Sequence, residues 1–302
     1  MSDLVELEET EEKWDGRLSY SSFNSYMGCN KKYYLRKVAR VKPDEDADVD
    51  TESFRFGKAF HKLLEDCMHN VSEITKRKID EACDLFLLDK MDHGPHLFAL
   101  LRHYKKVTAK NGLIATHCEV EIVTPVFKGY VDVILKEADG PGWWIGDIKT
   151  AAGYSPFVNS KLHMDWQLNL YTLHVQDIAL KTKHSPEDFK GCRYLLNVKS
   201  KLKRKESDDF RSYAERLEKA VSSYDIAIPK EELQAVATYQ LFKTVKKEID
   251  ALHKMKPELA AKQVLPNFNC CTSYFKSCEY WSQCHGKTFT QLKERLVIAS
   301  DG

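Results

Sequence analysis

The sequence predicts an α/β (α+β) fold, a small mixed sheet flanked by helices, and three observations carry that prediction. Hydrophobic residues recur at helical spacing through the N-terminal third. Three stretches rich in Val, Ile and aromatics then follow one another, the last two separated by the turn-forming run Asp139-Gly140-Pro141-Gly142. Beyond them helix and strand patterns alternate, as they do where helices cover a sheet.

The elements follow in order. Tyr20 to Val38 reads as one amphipathic helix with Ser19, Ser21 or Ser22 as its cap and Tyr26, Tyr33, Tyr34 and Leu35 on its apolar stripe. An acidic loop around Lys42–Glu52 precedes three further helical patterns, Phe54 to Met68, Val71–Met91 and Pro95–Lys110. Thr116 to Thr124, Val126 to Lys136 and Trp143 to Lys149 read as a three-strand meander. Asp165 to Leu180 is helical again, Cys192 to Val198 is a fourth strand, and 208–226 and 230–255 read as helices.

At 302 residues the chain can bury one large core, and 43% hydrophobic with 30% charged residues is ordinary for a globular protein. The organisation expected is an acidic disordered leader (1–16), a single domain (17–286) and a tail (287–302). The domain divides into N-terminal helices (17–112), a sheet core (113–200) and a C-terminal helical and cysteine region (201–286). No apolar run reaches bilayer length and the N-terminus is not a secretory signal, so an intracellular, cytoplasmic protein with no membrane partner is expected.

The net charge of +1 conceals a segregation: residues 1–16 and 44–52 together carry −12, leaving +13 on the remainder. A basic body with acidic segments suits a binder of polyanions. Nine cysteines in an intracellular chain argue for metal ligation or buried thiols over disulfides. Cys67, Cys83, Cys118 and Cys192 sit singly among apolar neighbours, whereas Cys270, Cys271, Cys278 and Cys284 crowd together.

The chemistry concentrates in Gly129-Tyr130-Val131-Asp132 and Asp147-Ile148-Lys149-Thr150. Alternation places Asp147 and Lys149 on one face of their strand, with Ile148 turned to the core and its carbonyl still able to reach a metal. Two carboxylates suit Mg²⁺ or Mn²⁺. Lys149 beside them can orient a water or stabilise the charge of a phosphoryl transition state. His61, one turn after Gly57, can offer a neutral imidazole, with Gly57 permitting close approach to the sheet. Gln167 and Tyr171 share a helix face and either hold Lys149, position a phosphate or cap the core.

In order and rough spacing, His61, Asp132, Asp147, Ile148-Lys149 and Gln167-x-x-x-Tyr171 resemble the PD-(D/E)xK nuclease superfamily, specifically its RecB-like exonuclease branch, which includes the AddB nuclease domain, the CRISPR-associated exonuclease and phage-encoded relatives. The resemblance implies a restriction-endonuclease-like core. In it His61, Asp132, Asp147 and the Ile148 carbonyl bind metal, Lys149 is catalytic, and Gln167 and Tyr171 hold the lysine and DNA. The further acidic residue often found in the family is Glu119 or Glu121. Cys271-x6-Cys278-x5-Cys284 together with Cys29 resembles the family's iron–sulfur version, in which a [4Fe–4S] cluster joins the N- and C-terminal segments. Cys270 can replace Cys271, and zinc is the alternative to iron.

Lys201, Lys203, Arg204 and Lys205 form a basic run suited to backbone phosphates. Trp143, Trp144, Tyr154, Phe157 and Trp166 are base-stacking candidates that can equally be core. The expectation is a metal-dependent DNA exonuclease acting on free ends or single strands, in repair, recombination, replication or phage DNA metabolism (in the host cytoplasm if phage-encoded). Lacking a Gly-x-x-x-x-Gly-Lys-[Ser/Thr] loop, it works alone or with a helicase or recombination partner. The competing readings are a DNA-binding assembly module of nuclease fold and an endonuclease of the same superfamily.

Overall fold

A computed structural model of the chain describes residues 14–44, 51–67, 74–256, 259, 263–267, 271–273 and 276–285. It comprises two compact units. The larger contains 50–123 and 129–239; the smaller contains 1–49, 124–128 and 240–302.

In the larger unit, α3 (Glu52–Asp66) starts at Thr51, whose hydroxyl accepts the Phe54 amide at 3.2 Å. Its Phe56, Ala59, Phe60, Leu63 and Leu64 are buried at i, i+3, i+4 spacing. With α4 (Lys76–Leu85), α5 (Gly94–Lys110) and α8 (Phe210–Glu218) it builds one apolar core against Val133, Leu135, Ile148 and Leu195.

Those four residues belong to a five-stranded mixed sheet in the order β1 (Leu113–Val123), β2 (Lys128–Glu137), β3 (Trp143–Ala151), β4 (Phe189–Val198), β5 (Ser222–Pro229). β2 and β3 pair antiparallel and β3 and β4 parallel, with Asp147 opposite Tyr194 and Lys149 opposite Leu196. A parallel pair needs a long crossover, supplied here by a 3₁₀ segment (Pro156–Met164), α6 (Trp166–Thr172) and α7 (Val175–Thr182). Cys192 and Leu195 differ in parity and therefore face opposite sides. Leu195 joins the core of α3, α4, α5 and α8, while the Cys192 thiol lies 3.8 Å from the Leu168 carbonyl of α6. Helices thus cover both faces, the α/β core the sequence predicts.

In the larger unit two element readings change. The expected helix over 208–226 ends at Glu218, and Ser222–Pro229 is instead the edge strand β5, antiparallel to β4. Alternating Tyr224, Ile226 and Ile228 carry that strand, and the polar Ser222, Ser223 and Asp225 hide it. The helix over Asp165–Leu180 breaks into α6 and α7 at Leu173 and His174.

In the smaller unit, Ser19 caps α1 (Tyr20–Gly28), accepting the Ser22 amide at 3.2 Å. The single expected helix to Val38 is interrupted at Cys29, whose backbone is extended (φ −159°). α2 (Asn30–Tyr33) and a π-helical turn (Tyr34–Val38) follow. The unit also holds most of α9 (Ala235–Lys254), the short hairpin β6 (Thr272–Ser273) and β7 (Lys276–Ser277), and α10 (Trp281–His285). Asp44 fastens α10: its Oδ2 accepts the Ser282 amide at 2.8 Å, and its own amide donates to Glu279 O at 2.7 Å.

Residues 1–13 of the acidic leader, 45–50 of the acidic loop, 68–73 at the ends of two expected helices, residue 286 and the tail (287–302) lie outside the described residues. Among the described residues no helix is long and apolar enough to cross a membrane.

Candidate active site

Five elements of the larger unit bring polar side chains to one end of the sheet. α3 contributes His61, set at the rim by the buried Phe60 beside it. β1 contributes Glu119, β2 Asp132, β3 Asp147 and Lys149, and α6 Gln167 and Tyr171. One nitrogen or oxygen from each of His61, Glu119 and Asp132 lies within 4.8 Å of the others, the one group of three metal-ligand types so close among the described residues.

Both backbone polar groups of Ile148 are engaged. Its amide donates to Asp132 Oδ2 at 2.7 Å, and its carbonyl faces His61 Nε2 at 3.0 Å. A proton on Nε2 satisfies that carbonyl and leaves the Nδ1 lone pair toward Glu119 Oε1 (3.5 Å) and Asp132 Oδ1 (4.0 Å). The Ile148 carbonyl, expected as a metal ligand, is thus a partner of His61 in this structure.

A second chain of hydrogen bonds fixes the lysine. Lys149 Nζ donates to Asp147 Oδ1 at 2.7 Å and to Gln167 Oε1 at 3.1 Å. Gln167 Nε2 donates to the Tyr171 hydroxyl at 3.1 Å, which donates to Tyr130 O at 2.5 Å. Of the three readings open for Gln167 and Tyr171, the geometry is that of holding Lys149.

Glu119 and Glu121 separate clearly. Two residues apart in a regular strand, they would share a face. Glu119 instead has φ +49°, the left-handed region a side chain rarely adopts, and reaches His61. Glu121 accepts a hydrogen bond from the exposed Tyr130 phenol at 2.8 Å. A local irregularity of this kind leaves no pattern in the sequence. Gly57 needs a correction: a Cβ there would meet only Thr150 Oγ1 at 3.4 Å, an ordinary contact, so close approach to the sheet does not require glycine.

Burial sets the electrostatics. Asp147 is 1% exposed, and loss of water pushes its carboxyl up to about 6 although Lys149 pulls the other way. Burial likewise raises Asp132 against the opposing pull of His61 and Lys149. For His61 burial acts downward, but the Glu119 and Asp132 carboxylates outweigh it and the net shift is upward. Burial also opposes the Lys149 charge, yet Asp147 and Asp132 outweigh it, so the side chain is an ammonium well above its ordinary range. Crowded, desolvated carboxylates beside an imidazole nitrogen are hard donors whose mutual repulsion a divalent cation relieves. The residues fit such an ion.

The sequence profile of the PD-(D/E)XK nuclease superfamily matches residues 17–285, most of the chain. The chain belongs to this superfamily. No curated protein matches it. As a PD-(D/E)XK protein it is a hydrolase of the metal-dependent nuclease type, and nucleic acid is the substrate class.

The remaining candidate residues of this nuclease fall in two places. Lys203 and Arg204 line a cavity of about 460 Å³ with Lys199, His93 and His96, all in the larger unit. Lys201 and Lys205 are exposed and are not among its lining residues. In the smaller unit, Cys29, Cys271, Cys278 and Cys284 line one small cavity with Asn267. Cys29 Sγ accepts the amides of Lys32 (3.4 Å) and Asn267 (3.3 Å), and the Cys278 amide donates to Cys271 O at 2.8 Å. Cys270 lies outside the described residues.

Several aromatics are structural. Trp143 is fully buried with its indole N–H on Ser185 O at 2.7 Å. The Arg193 guanidinium covers Trp144 at 4.6 Å, and Tyr154 stacks on Tyr224 at 4.1 Å. Cys67, Cys83 and Cys192 are buried as the sequence implies, and Cys118 is half-buried.

Proposed function

We propose that this nuclease is a Mg²⁺- or Mn²⁺-dependent DNA exonuclease acting on free ends or single strands, in repair, recombination, replication or phage DNA metabolism. The observation that carries the reading is the convergence of His61, Glu119 and Asp132 within 4.8 Å, beside a lysine held by Asp147 and Gln167.

His61 Nδ1, Glu119 and Asp132 hold the divalent ion, with Asp147 at the same strand end as a further donor. When bound, such an ion supplies an acidified water and charge compensation at the scissile phosphate. Asp147 and Gln167 aim the Lys149 ammonium, which hydrogen-bonds the attacking water or a non-bridging phosphate oxygen as negative charge grows there. Burial of Asp147 and Asp132 keeps bulk water from screening these charges. Asp132, by clamping the Ile148 amide, holds the backbone from which Lys149 projects.

In the second site, Cys29, Cys271, Cys278 and Cys284 would bind a [4Fe–4S] cluster joining the N- and C-terminal segments. Amides donating to Cys29 Sγ suit a thiolate ligand. Zinc is the alternative metal for the same four thiolates. A motor, where the reaction needs one, comes from a helicase partner.

The test is incubation of anaerobically purified protein with end-labelled single- and double-stranded DNA and Mg²⁺ or Mn²⁺, beside Lys149→Ala. Metal-dependent shortening from the ends that the variant loses is the expected result. Linearisation of covalently closed circles would replace the exonuclease with an endonuclease. Tight DNA binding without cleavage under any condition would make the protein a DNA-binding assembly module.

A further inference from the structure

The smaller unit carries a broad basic depression that the catalytic reading does not use. Its volume is about 1230 Å³, and seven lysine and arginine side chains line it against a single carboxylate, Asp15. That carboxylate is already engaged, accepting the Arg17 amide at 2.8 Å and its Nε at 2.7 Å. Arg36 pairs with Glu279 at 3.7 Å, and Lys37, Arg40, Lys42, Lys128 and Lys254 line the same space.

The depression is built on a fixed frame. Trp14 stacks on His253 with ring centroids 4.3 Å apart and 4° between planes, and its indole donates to Asp250 Oδ1 at 3.0 Å. Tyr33 Oη lies 3.1 Å from His253 Nε2. The backbone bearing the cations is itself irregular. Arg36 and Lys37 sit in the π-helical turn Tyr34–Val38, and Arg40 has φ +52°. Such irregularities cost free energy and persist where surrounding structure over-determines them, often at sites of function.

We infer that this depression binds the sugar–phosphate backbone of a nucleic-acid strand. The inference rests on the proposed action on DNA and extends it to a second contact region in the smaller unit. A cationic, open surface of this size exceeds the roughly 300–1,000 Å³ of pockets shaped for one small molecule. Lysine and arginine ammonium and guanidinium groups meet phosphates without reading base edges, so binding here is independent of sequence and releases counterions. Burial is the main cause that lowers the His253 pKa; Asp250 pulls it the other way, and Arg40 and Lys246 add to the lowering.

The experiment measures fluorescence anisotropy of labelled oligothymidylates of three to fifteen residues on the full chain in EDTA, across a salt series. Without metal no strand is cut, so absence of Lys149-dependent hydrolysis would sink the nuclease reading while leaving this measurement intact. Lys37→Gln/Arg40→Gln/Lys254→Gln should weaken binding about tenfold or more at low salt. It should also flatten the log–log salt slope by about 2, the value for three lost single-strand phosphate contacts. Lys42→Gln/Lys128→Gln is a second, independent variant should the first lower the melting midpoint. Lys110→Gln/Lys219→Gln/Lys230→Gln, exposed lysines of the larger unit, should leave the slope close to wild type. Wild-type affinity and slope in both depression variants would overturn the inference. So would affinity that does not rise with strand length, or competition by inorganic phosphate as effective as by the strand, since either means a small-anion site.

Discussion

Asp132 Oδ2 accepts the Ile148 amide at 2.7 Å, so the carboxylate of one motif grips the backbone of the other. With His61 on the Ile148 carbonyl, the backbone of one residue ties α3, β2 and β3 together at the point where Lys149 leaves the strand. Hydrogen bonds to a carboxylate are worth about 1.5–3 kcal/mol, so this clamp is both structural and positional. Substitutions can therefore separate positioning of Lys149 from the chemistry around it.

Lys149→Ala should lower kcat by about 10²–10³-fold, the usual cost of losing one donor to a developing negative charge. Gln167→Leu leaves Lys149 with Asp147 alone and should lower kcat less, with KM nearly unchanged. Single-turnover hydrolysis with a melting curve for each variant checks this. Equal losses in the two would show that Gln167 does more than aim the lysine.

Glu119→Gln should raise the Mn²⁺ concentration for half-maximal rate by at least about tenfold, since supporting residues alone cost roughly 10–100-fold in metal affinity. Glu121→Gln alters a carboxylate that meets the Tyr130 phenol, and should leave the metal titration alone. A reversal of the two would move the third donor to Glu121.

Gly146→Ala should destabilise the fold by about 1–3 kcal/mol through overpacking. An added Cβ would come 2.4 Å from Val133 Cγ1 and 3.2 Å from Leu195 Cδ1, and valine has little rotamer freedom to withdraw. Gly57→Ala, with one contact at 3.4 Å, should be near neutral. Urea midpoints on both variants decide the contrast.

The stability contributed by His96 and His253 should fall with acidification between about pH 6.5 and 4. Burial holds His96 and His253 down to about 4 in the folded chain, below the ordinary histidine value. As pH drops through that window the unfolded chain takes up these protons first, so unfolding gains; above it both states are neutral and the full stability is present. His96→Gln/His253→Gln should flatten the dependence of the urea midpoint on pH, and an unchanged slope would assign it to other groups.

Cys278→Ala should lower the melting midpoint and remove any visible thiolate–iron absorption, while the folded fraction keeps hydrolytic activity. Ligation between Cys29 and the C-terminal cysteines closes a very long loop, and its loss releases that chain entropy. An unchanged midpoint would mean that no cluster links the two ends.

The legible parts of this protein rest on short-range periodicity. The parity of Asp147 and Lys149, the i, i+4 spacing of Gln167 and Tyr171, and the apolar stripe from Phe56 to Leu64 are each contained within one turn or two strand residues. The structure shows the stripe buried, the Lys149 ammonium on Asp147, and Gln167 bonded to both Lys149 and Tyr171. The illegible parts lie where that regularity lapses. β5 hides behind two serines and an aspartate, the first helix stops at an extended Cys29, and Glu119 turns on a left-handed φ.

By itself the sequence determined the layered α/β class, the strands bearing Asp132, Asp147 and Lys149, and the clustering of the C-terminal cysteines, because hydrophobic period and residue spacing are local quantities. Tertiary structure alone decided that Glu119 rather than Glu121 meets His61, that the Ile148 N–H and C=O are held by Asp132 and His61, and that Arg36, Lys128 and Lys254 face one depression. Each depends on backbone segments distant in the chain being brought within a few ångströms, or on a single strained dihedral held by its surroundings. Neither leaves a trace in the periodic pattern of a sequence.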